Sequence, residues 1–199
     1  GLQVVDATCP FVSAAHACAK DLVAAGYEVI IVGEADHPEV AGILAHASGK
    51  ATVVDEPADI PGRLASKRVG VVVQTTQSMD RLTEVVDALL PRVSELRVCN
   101  TICGATAKRQ RAARELARDV AVVVVVGGHN SGTTTRLAEI CRAVNPRVHH
   151  VETADELEPE WFAGAVVVGV TGGASTPHEQ MSRVMEAIRT IGESGPEPQ

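Results

Sequence analysis

The sequence predicts an α/β protein made of two repeated small domains, each with a parallel sheet flanked by helices. Apolar, β-branched runs alternate along the chain with stretches of helical period, an order that gives parallel strands with right-handed crossovers. Aromatic residues make up only 2% of the 199 residues, so Val, Ala, Leu and Ile must form the core. Such a core is typical of strands buried between helices. The remaining observation is an internal repeat.

The two kinds of segment are assigned from their apolar period, which is continuous or alternating in strands and close to 3.6 residues in helices. We expect strands at residues 2–5, 29–32, 52–54, 69–73, 96–98, 120–126, 148–151 and 165–170. We expect helices at residues 12–25, 40–47, 81–90, 106–118, 134–144 and 178–191.

The repeat is visible in the spacing of a few residues. In each copy a cysteine precedes a helix, a glycine ends the next strand 24 residues later, and a polar loop residue follows 28 residues after the cysteine. Such self-similarity indicates two copies of one structural unit. These residues are Cys9, Gly33 and His37 in the first copy and Cys103, Gly127 and Ser131 in the second.

The domain boundaries follow from this repeat. We expect the first α/β repeat at residues 9–97 and the second at residues 98–192. Residues 193–199, which are rich in Glu, Pro and Gly, are expected to form a disordered tail.

Composition excludes several classes of protein. The net charge of −7 argues against nucleic acid or an anionic membrane as the main partner. No apolar run approaches the roughly 20 residues of a membrane span. Five cysteines without a C-x-x-C pair predict a reducing, cytoplasmic environment rather than a disulfide framework or a zinc finger.

Cys9 and Cys103 are the candidate reactive cysteines, because each is expected just before a helix. Helix N-termini favour the thiolate form, which both metal binding and nucleophilic attack require. The same pattern fits two buried small hydrophobic residues, although their equivalence in the repeat favours a function. Cys18, Cys99 and Cys141 lie within apolar helical or strand patterns and are interpreted as structural.

Polar loops after two strands of the first repeat carry further candidates. His37 and Glu39 follow the strand at 29–32, and they could supply a donor for an anionic substrate and a proton-transfer acid. Thr75 and Thr76 follow the strand at 69–73. Either threonine could present a hydroxyl to a substrate or simply begin the next helix.

Two loops of the second repeat resemble anion cradles. Residues 127–135 and 171–177 are rich in Gly, Ser and Thr and open helices, where free backbone N–H groups attract phosphate. Neither loop matches a Walker A or a dinucleotide-binding motif. Two such loops at equivalent strand ends suggest a bound phosphate or diphosphate.

Six short segments together carry a resemblance to a known family, the LytB family of 4-hydroxy-3-methylbut-2-enyl diphosphate reductases. They occur in the family's order and with similar gaps over essentially the whole chain. The segments are Asp6-Ala7-Thr8-Cys9-Pro10; Gly33 and His37-Pro38-Glu39-Val40 with Gly42; Gln74-Thr75-Thr76-Gln77-Ser78; Ile102-Cys103 with Ala105-Thr106 and Arg109-Gln110; Asn130-Ser131 with Arg136-Leu137-Ala138-Glu139; and Gly173-Ala174-Ser175 with Pro177.

The resemblance implies a fold, a cofactor and a reaction. The family's fold is a three-lobed trefoil, of which this chain would form two lobes. The reaction is the reductive dehydroxylation of the allylic diphosphate to isopentenyl and dimethylallyl diphosphate, with electrons from a ferredoxin or flavodoxin type of donor. The implied residue roles are Cys9 and Cys103 as ligands of a [4Fe–4S] cluster, Glu39 as proton relay, Thr75 on the substrate's hydroxyl, and His37, Ser131 and Ser175 on the diphosphate.

The sequence departs from the family's pattern in two places. The resemblance puts the third cluster cysteine and two further substrate-binding histidines in an N-terminal motif that these 199 residues do not contain. We therefore expect residues 1–8 to be the end of a missing N-terminal domain and the chain to be a fragment. Gly132 and Thr133 stand where the family often has Ser and Asn, and Thr133, which can still donate a hydrogen bond, is kept as a candidate diphosphate ligand.

Two other functions stay open from the sequence. One is a non-catalytic, truncated paralogue that keeps the fold and binds a diphosphate ligand. The other is an iron-free thiol enzyme that uses Cys9 or Cys103 as nucleophile, although neither has an adjacent histidine in the sequence to act as a base.

Overall fold

The computed structural model describes residues 2–3 and 5–194, within which six α-helices alternate with seven strands. The helices are α1 (Pro10–Ala24), α2 (Pro38–His46), α3 (Met79–Leu89), α4 (Gly104–Asp119), α5 (Gly132–Arg142) and α6 (His178–Ser194). The strands are β1 (Glu28–Val32), β2 (Thr52–Val54), β3 (Arg68–Val73), β4 (Glu95–Cys99), β5 (Val122–Val126), β6 (Val148–Val151) and β7 (Val168–Gly172).

The chain divides into two compact units, Gly1–Ala107 and Lys108–Gln199. In the first, the strand order is β2-β1-β3-β4, and all neighbouring strands are parallel. Alternate residues of β1 face opposite layers: Ile30 and Val32 pack with α3, whereas Val29 and Ile31 pack with α1 and α2. Because β1 and β3 are parallel, the loops that follow them leave the sheet at the same end, the carboxyl ends of the strands, where ligand sites of parallel sheets form.

The second unit repeats this arrangement with three strands in the order β6-β5-β7, again all parallel. Its central strand β5 consists of five fully buried valines. Val123 and Val125 pack with α4 and α5, and Val124 and Val126 pack with Val184 of α6. The predicted fold class, two repeated α/β units with parallel sheets flanked by helices, is confirmed.

The division between the units differs from the boundary expected between residues 97 and 98. That position lies within β4, which pairs with β3 from Arg68↔Glu95 to Val72↔Cys99 and is therefore the fourth strand of the first sheet. The compact units separate ten residues later, inside α4.

The strands expected at residues 2–5 and 165–170 are wrong in whole or in part, because their first described residues have no partner strand. The strand expected at residues 2–5 is absent from its described residues, and Leu2 and Val5 are 100% and 80% exposed. β7 begins at Val168 rather than at residue 165, because its pairing with β5 starts at Val122↔Val168.

Glu193 and Ser194, which were expected in a disordered tail, belong to α6, and the rest of the expected tail lies outside the described residues. None of the described helices combines the length and apolar character needed to cross a bilayer.

Candidate active site

Cys9 occupies the N-cap of α1 and is exposed. Pro10 follows it as the first helical residue, a position that proline favours. The Cys9 carbonyl accepts a hydrogen bond from the Ser13 N–H at 3.0 Å, whereas its thiol makes no capping hydrogen bond. Just ahead, the Asp6 carboxylate accepts hydrogen bonds from the N–H and the hydroxyl of Thr8, at 2.9 and 2.7 Å. The thiol is thus presented to solvent at the end of an ordered turn.

Cys103 is half-buried and directly precedes α4. Its carbonyl accepts from the Ala107 N–H, and its own N–H donates to the Thr75 carbonyl, both at 2.9 Å. Three residues before it, the side-chain oxygen of Asn100 accepts from the Ile102 N–H at 3.2 Å. The same kind of turn therefore precedes the cysteine in both copies of the repeat.

Glu39 and Thr75 form the most closely connected pair of candidate residues. One carboxylate oxygen of Glu39 accepts from the Thr75 N–H at 2.7 Å, and the other accepts from the Thr75 hydroxyl at 2.8 Å. Glu39 is in the first turn of α2, and Thr75 is 6% exposed in the turn after β3. Because the Thr75 carbonyl also accepts from the Cys103 N–H, Thr75 is hydrogen-bonded both to the Glu39 carboxylate and to the backbone of Cys103.

His37 lies beside this chain as the N-cap of α2. Its Nδ1 accepts from the Glu39 N–H at 3.1 Å. In a neutral imidazole the other nitrogen then carries the proton. His37 therefore has an Nε2–H donor that the helix cap does not use.

The side chain of Gln74 stabilises the turn that contains Thr75 and Thr76. Its side chain is 1% exposed. Its Oε1 accepts from the Glu34 N–H at 3.0 Å, and its Nε2 donates to Thr76 Oγ1 at 2.7 Å. A β-carbon at Gly33 would lie 2.7 Å from this Oε1, so only glycine fits beneath the amide. Thr76 is half-buried in the same turn.

In the second unit, the two hydroxyl-rich loops lie side by side. A β-carbon at Gly127, after β5, would be 2.7 Å from Thr134 Oγ1, and one at Gly173, after β7, would be 2.6 Å from the same atom. The Thr176 hydroxyl also donates to the Val126 carbonyl at 2.9 Å. Ser131 caps α5 without a side-chain capping bond, and its hydroxyl accepts from the Thr134 hydroxyl at 3.1 Å.

The other ligand candidates of these loops are accessible. Ser175 is exposed and Thr133 is half-buried. Together with Ser131, they put three hydroxyl groups at the carboxyl ends of the adjacent strands β5 and β7.

Two of the remaining cysteines, Cys99 and Cys141, have raised pKa values. Burial raises the pKa of Cys99 to about 12, helped by a hydrogen bond with the thiol of Cys18. Burial also raises the pKa of Cys141 to about 11, and its Sγ donates to the Ala113 carbonyl at 3.6 Å. Both thiols are therefore poor sources of thiolate.

Sequence reasoning missed the residues that hold these groups in place. Gln74 and Thr134 stand next to predicted ligands, so adjacency was an available signal. Thr101, whose hydroxyl bonds the backbone of Val73, gives no such signal. Within residues 2–3 and 5–194, no cluster of three or more His, Cys, Asp or Glu side chains could hold a metal ion.

The fold and these groups define a two-unit α/β protein whose strand-end loops carry thiols, an acid–hydroxyl pair and hydroxyl-rich turns suited to an anion. Residues 1–189 match the family model described as LytB protein. The chain belongs to the LytB family.

Individual relatives agree with this assignment. The chain is 51% identical over 190 residues to the 4-hydroxy-3-methylbut-2-enyl diphosphate reductase of Geobacter metallireducens, covering 96% of this chain and 67% of the relative. It is 52% identical over 193 residues to the enzyme of the same name from Geotalea uraniireducens, with the same coverage. The chain thus spans about two thirds of the length of these relatives.

Solved structures show the same relationship. One is an (E)-4-hydroxy-3-methyl-but-2-enyl diphosphate reductase, described as the terminal enzyme of the non-mevalonate pathway. It is 46% identical with a TM-score of 0.57, over 96% of this chain and 69% of that one. The other is the E-1-hydroxy-2-methyl-but-2-enyl-4-diphosphate reductase of Plasmodium falciparum. It is 25% identical with a TM-score of 0.84, over 92% of this chain and 58% of that one.

Proposed function

We propose that this protein performs the reductive dehydroxylation of 4-hydroxy-3-methylbut-2-enyl diphosphate to isopentenyl and dimethylallyl diphosphate in isoprenoid biosynthesis. Membership of the LytB family supports the reaction. The observation in the structure that carries the proposal is the hydrogen-bonded chain from Glu39 through Thr75 to Cys103. It joins an acid to a hydroxyl and, through the Thr75 carbonyl, to the backbone N–H of a cysteine. An acid and a hydroxyl beside a cysteine-bound redox centre are the groups needed to remove a hydroxyl.

Glu39 and Thr75 form a proton relay in this proposal. With Glu39 ionised, the Thr75 hydroxyl donates to it, and the Thr75 oxygen keeps lone pairs that can accept the substrate's hydroxyl. With Glu39 protonated, the carboxyl donates to Thr75, and the Thr75 hydroxyl turns to donate to the substrate oxygen. The pair can thereby deliver the proton with which the hydroxyl leaves as water.

Cys9 and Cys103 are the proposed ligands of a [4Fe–4S] cluster. Their position at helix N-termini and their accessibility fit this role, whereas Cys99 and Cys141 have raised pKa values. Two thiolates form only part of a cluster's ligand set. The described residues contain no group of three or more His, Cys, Asp or Glu side chains that could hold a metal ion by itself. When bound, the cluster would supply single electrons and an iron that polarises the substrate's oxygen.

The diphosphate is assigned to residues that present N–H or O–H donors. His37 offers its Nε2–H, since Nδ1 is used by the α2 cap. Ser131 accepts from Thr134 and can donate its own hydrogen to a phosphate oxygen. Such charge-assisted hydrogen bonds are stronger than neutral ones. Thr76, Thr133 and Ser175 complete the proposed set of substrate ligands.

The remaining assignments concern partners and location. Electrons are proposed to come from a ferredoxin or flavodoxin type of donor, since a cluster accepts one electron at a time. A cytoplasmic location is proposed because all five cysteines are unpaired, as expected in a reducing compartment. Neither nucleic acid nor a membrane is proposed as a partner, given the net charge of −7.

The test is an anaerobic preparation of the protein, together with any residues encoded ahead of Gly1. Iron and sulfide are measured, and turnover is followed with a reduced viologen dye as one-electron donor and product analysis by mass spectrometry. We expect two dye molecules oxidised for each diphosphate product. A preparation with a full iron load that does not oxidise the dye in the presence of substrate would contradict the proposal.

The two alternatives give different results in the same experiment. A protein that contains no iron in any preparation but binds inorganic pyrophosphate is a binding module. An iron-free activity that disappears on cysteine alkylation identifies a thiol enzyme.

A further inference from the structure

At the end of the first sheet, the Thr101 side chain makes the hydrogen bonds to Val73 that a neighbouring strand would otherwise make. The last residue pair of β3 and β4 is Val72↔Cys99, so β4 ends before Val73 acquires a backbone partner on that side. The Thr101 hydroxyl accepts from the Val73 N–H at 3.2 Å and also donates to the Val73 carbonyl. Val73 is fully buried, where unpaired backbone groups are costly.

This contact is followed directly by the candidate cluster ligand. Two residues after Thr101, the Cys103 N–H donates to the Thr75 carbonyl at 2.9 Å. Thr101 and Cys103 are therefore fastened to successive parts of one segment, Val73 through Thr75. The Thr75 end of that segment also holds Glu39.

We infer that Thr101 is a positioning residue, which holds Cys103 in register with the Thr75–Glu39 pair through its two hydrogen bonds to Val73. The inference rests on the proposed function, in which Cys103 binds the cluster and Glu39 delivers a proton. This role requires no contact of Thr101 with the cysteine side chain or the carboxylate. It acts by fixing the backbone on which Cys103 sits.

The decisive variant is Thr101→Val, which keeps the shape of the side chain and removes the hydroxyl. Thr101→Ser keeps the hydroxyl and should restore the wild-type behaviour. Thr52→Val is the matched control, since it makes the same change on a half-buried residue of β2, at the opposite edge of the sheet.

The first readouts use the iron-free protein. In Thr101→Val, amide hydrogen exchange at Val73 and Cys103 should be about tenfold faster, because one hydrogen-bonding partner of a buried strand end is lost. Alkylation of half-buried Cys103 should be at least about threefold faster, with Cys9 unchanged, because local opening exposes the thiol. Thr101→Ser and Thr52→Val should stay within about twofold of the wild type on both measures.

The last readout uses the iron-loaded protein, from which Thr101→Val should release iron to a chelator about tenfold faster than Thr101→Ser. Wild-type exchange and alkylation at Cys103 in a folded Thr101→Val would overturn the inference whatever the iron content. An iron-free wild type would instead refute the proposed function, while exchange and alkylation still decide the role of Thr101. If Thr101→Val does not fold, the wild type decides: protection of Val73 and Cys103 should agree within about threefold, and a far less protected Cys103 would contradict the coupling.

Discussion

Replacing Gly42 with alanine tests how closely α1 packs against α2. Gly42 lies inside α2, where alanine is normally favoured over glycine by about 1 kcal/mol. A β-carbon there would lie 2.8 Å from Nε2 of His16. The His16 ring is stacked on His46, with 4.1 Å between ring centroids and 10° between ring planes, and its Nε2 is buried. The ring therefore has little room to withdraw.

The two effects have opposite signs, and the clash should prevail. Overpacking costs about 1–3 kcal/mol, and a ring with little room to move should put this case in the upper part of that range, at about 2–3 kcal/mol. After a gain of about 1 kcal/mol in helix propensity, the net loss in the free energy of unfolding should be about 1–2 kcal/mol. With a urea m-value of about 2 kcal/mol/M, the midpoint should fall by roughly 0.5–1 M. Urea unfolding followed by circular dichroism at pH 8 measures this shift.

A double-mutant cycle isolates the contact. In a His16→Ala background the β-carbon meets no ring, so Gly42→Ala should become neutral or stabilise the protein by up to about 1 kcal/mol. A Gly42→Ala single variant that is more stable than the wild type would show that the reasoning about the ring is wrong.

Histidine burial, the Glu39 carboxyl and the exposure of the cysteines can each be tested separately. The free energy of unfolding should fall as pH is lowered through 6.5, because burial lowers the pKa of His16, His149 and His150 in the folded state. The unfolded chain then binds protons at a higher pH than the folded protein does. Urea titrations at several pH values measure this, and a free energy of unfolding that stays constant between pH 7 and 5 would contradict it. Glu39→Gln should retain the iron but slow turnover by about 10²–10⁴-fold, since only the proton is removed from the relay; wild-type turnover would exclude Glu39 from the mechanism. Iodoacetamide at neutral pH should label exposed Cys9 before Cys99 and Cys141, whose pKa values are about 12 and about 11, as peptide mass spectrometry can show; early labelling of Cys141 would refute this order.

Apolar period was sufficient to predict the helices and most strands, because buried strands and amphipathic helices leave different patterns. Five of the six helices nevertheless begin two residues earlier than expected. Their first turns carry residues such as Pro10 and Pro38, which suit a helix start but do not continue an apolar stripe. The expected strand at residues 2–5 failed because apolar character alone does not supply a pairing partner.

The candidate site was predictable as a set of residues but not as a set of contacts. The repeat and the family resemblance pointed to Glu39, Thr75 and Cys103, yet neither could show that hydrogen bonds join them. Residues that act only by holding the backbone in place were invisible in the sequence. Thr101 pairs with a strand 28 residues away, and its importance depends on where β4 ends.

The most direct test of the central claim is the iron content of single Cys→Ser variants prepared anaerobically, together with any residues encoded ahead of Gly1. We expect Cys9→Ser and Cys103→Ser to lose most of their iron, because a serine hydroxyl is a far weaker ligand than a thiolate. Cys18→Ser and Cys141→Ser should keep the wild-type content. A Cys103→Ser protein with undiminished iron would contradict the assignment of this cysteine to the cluster.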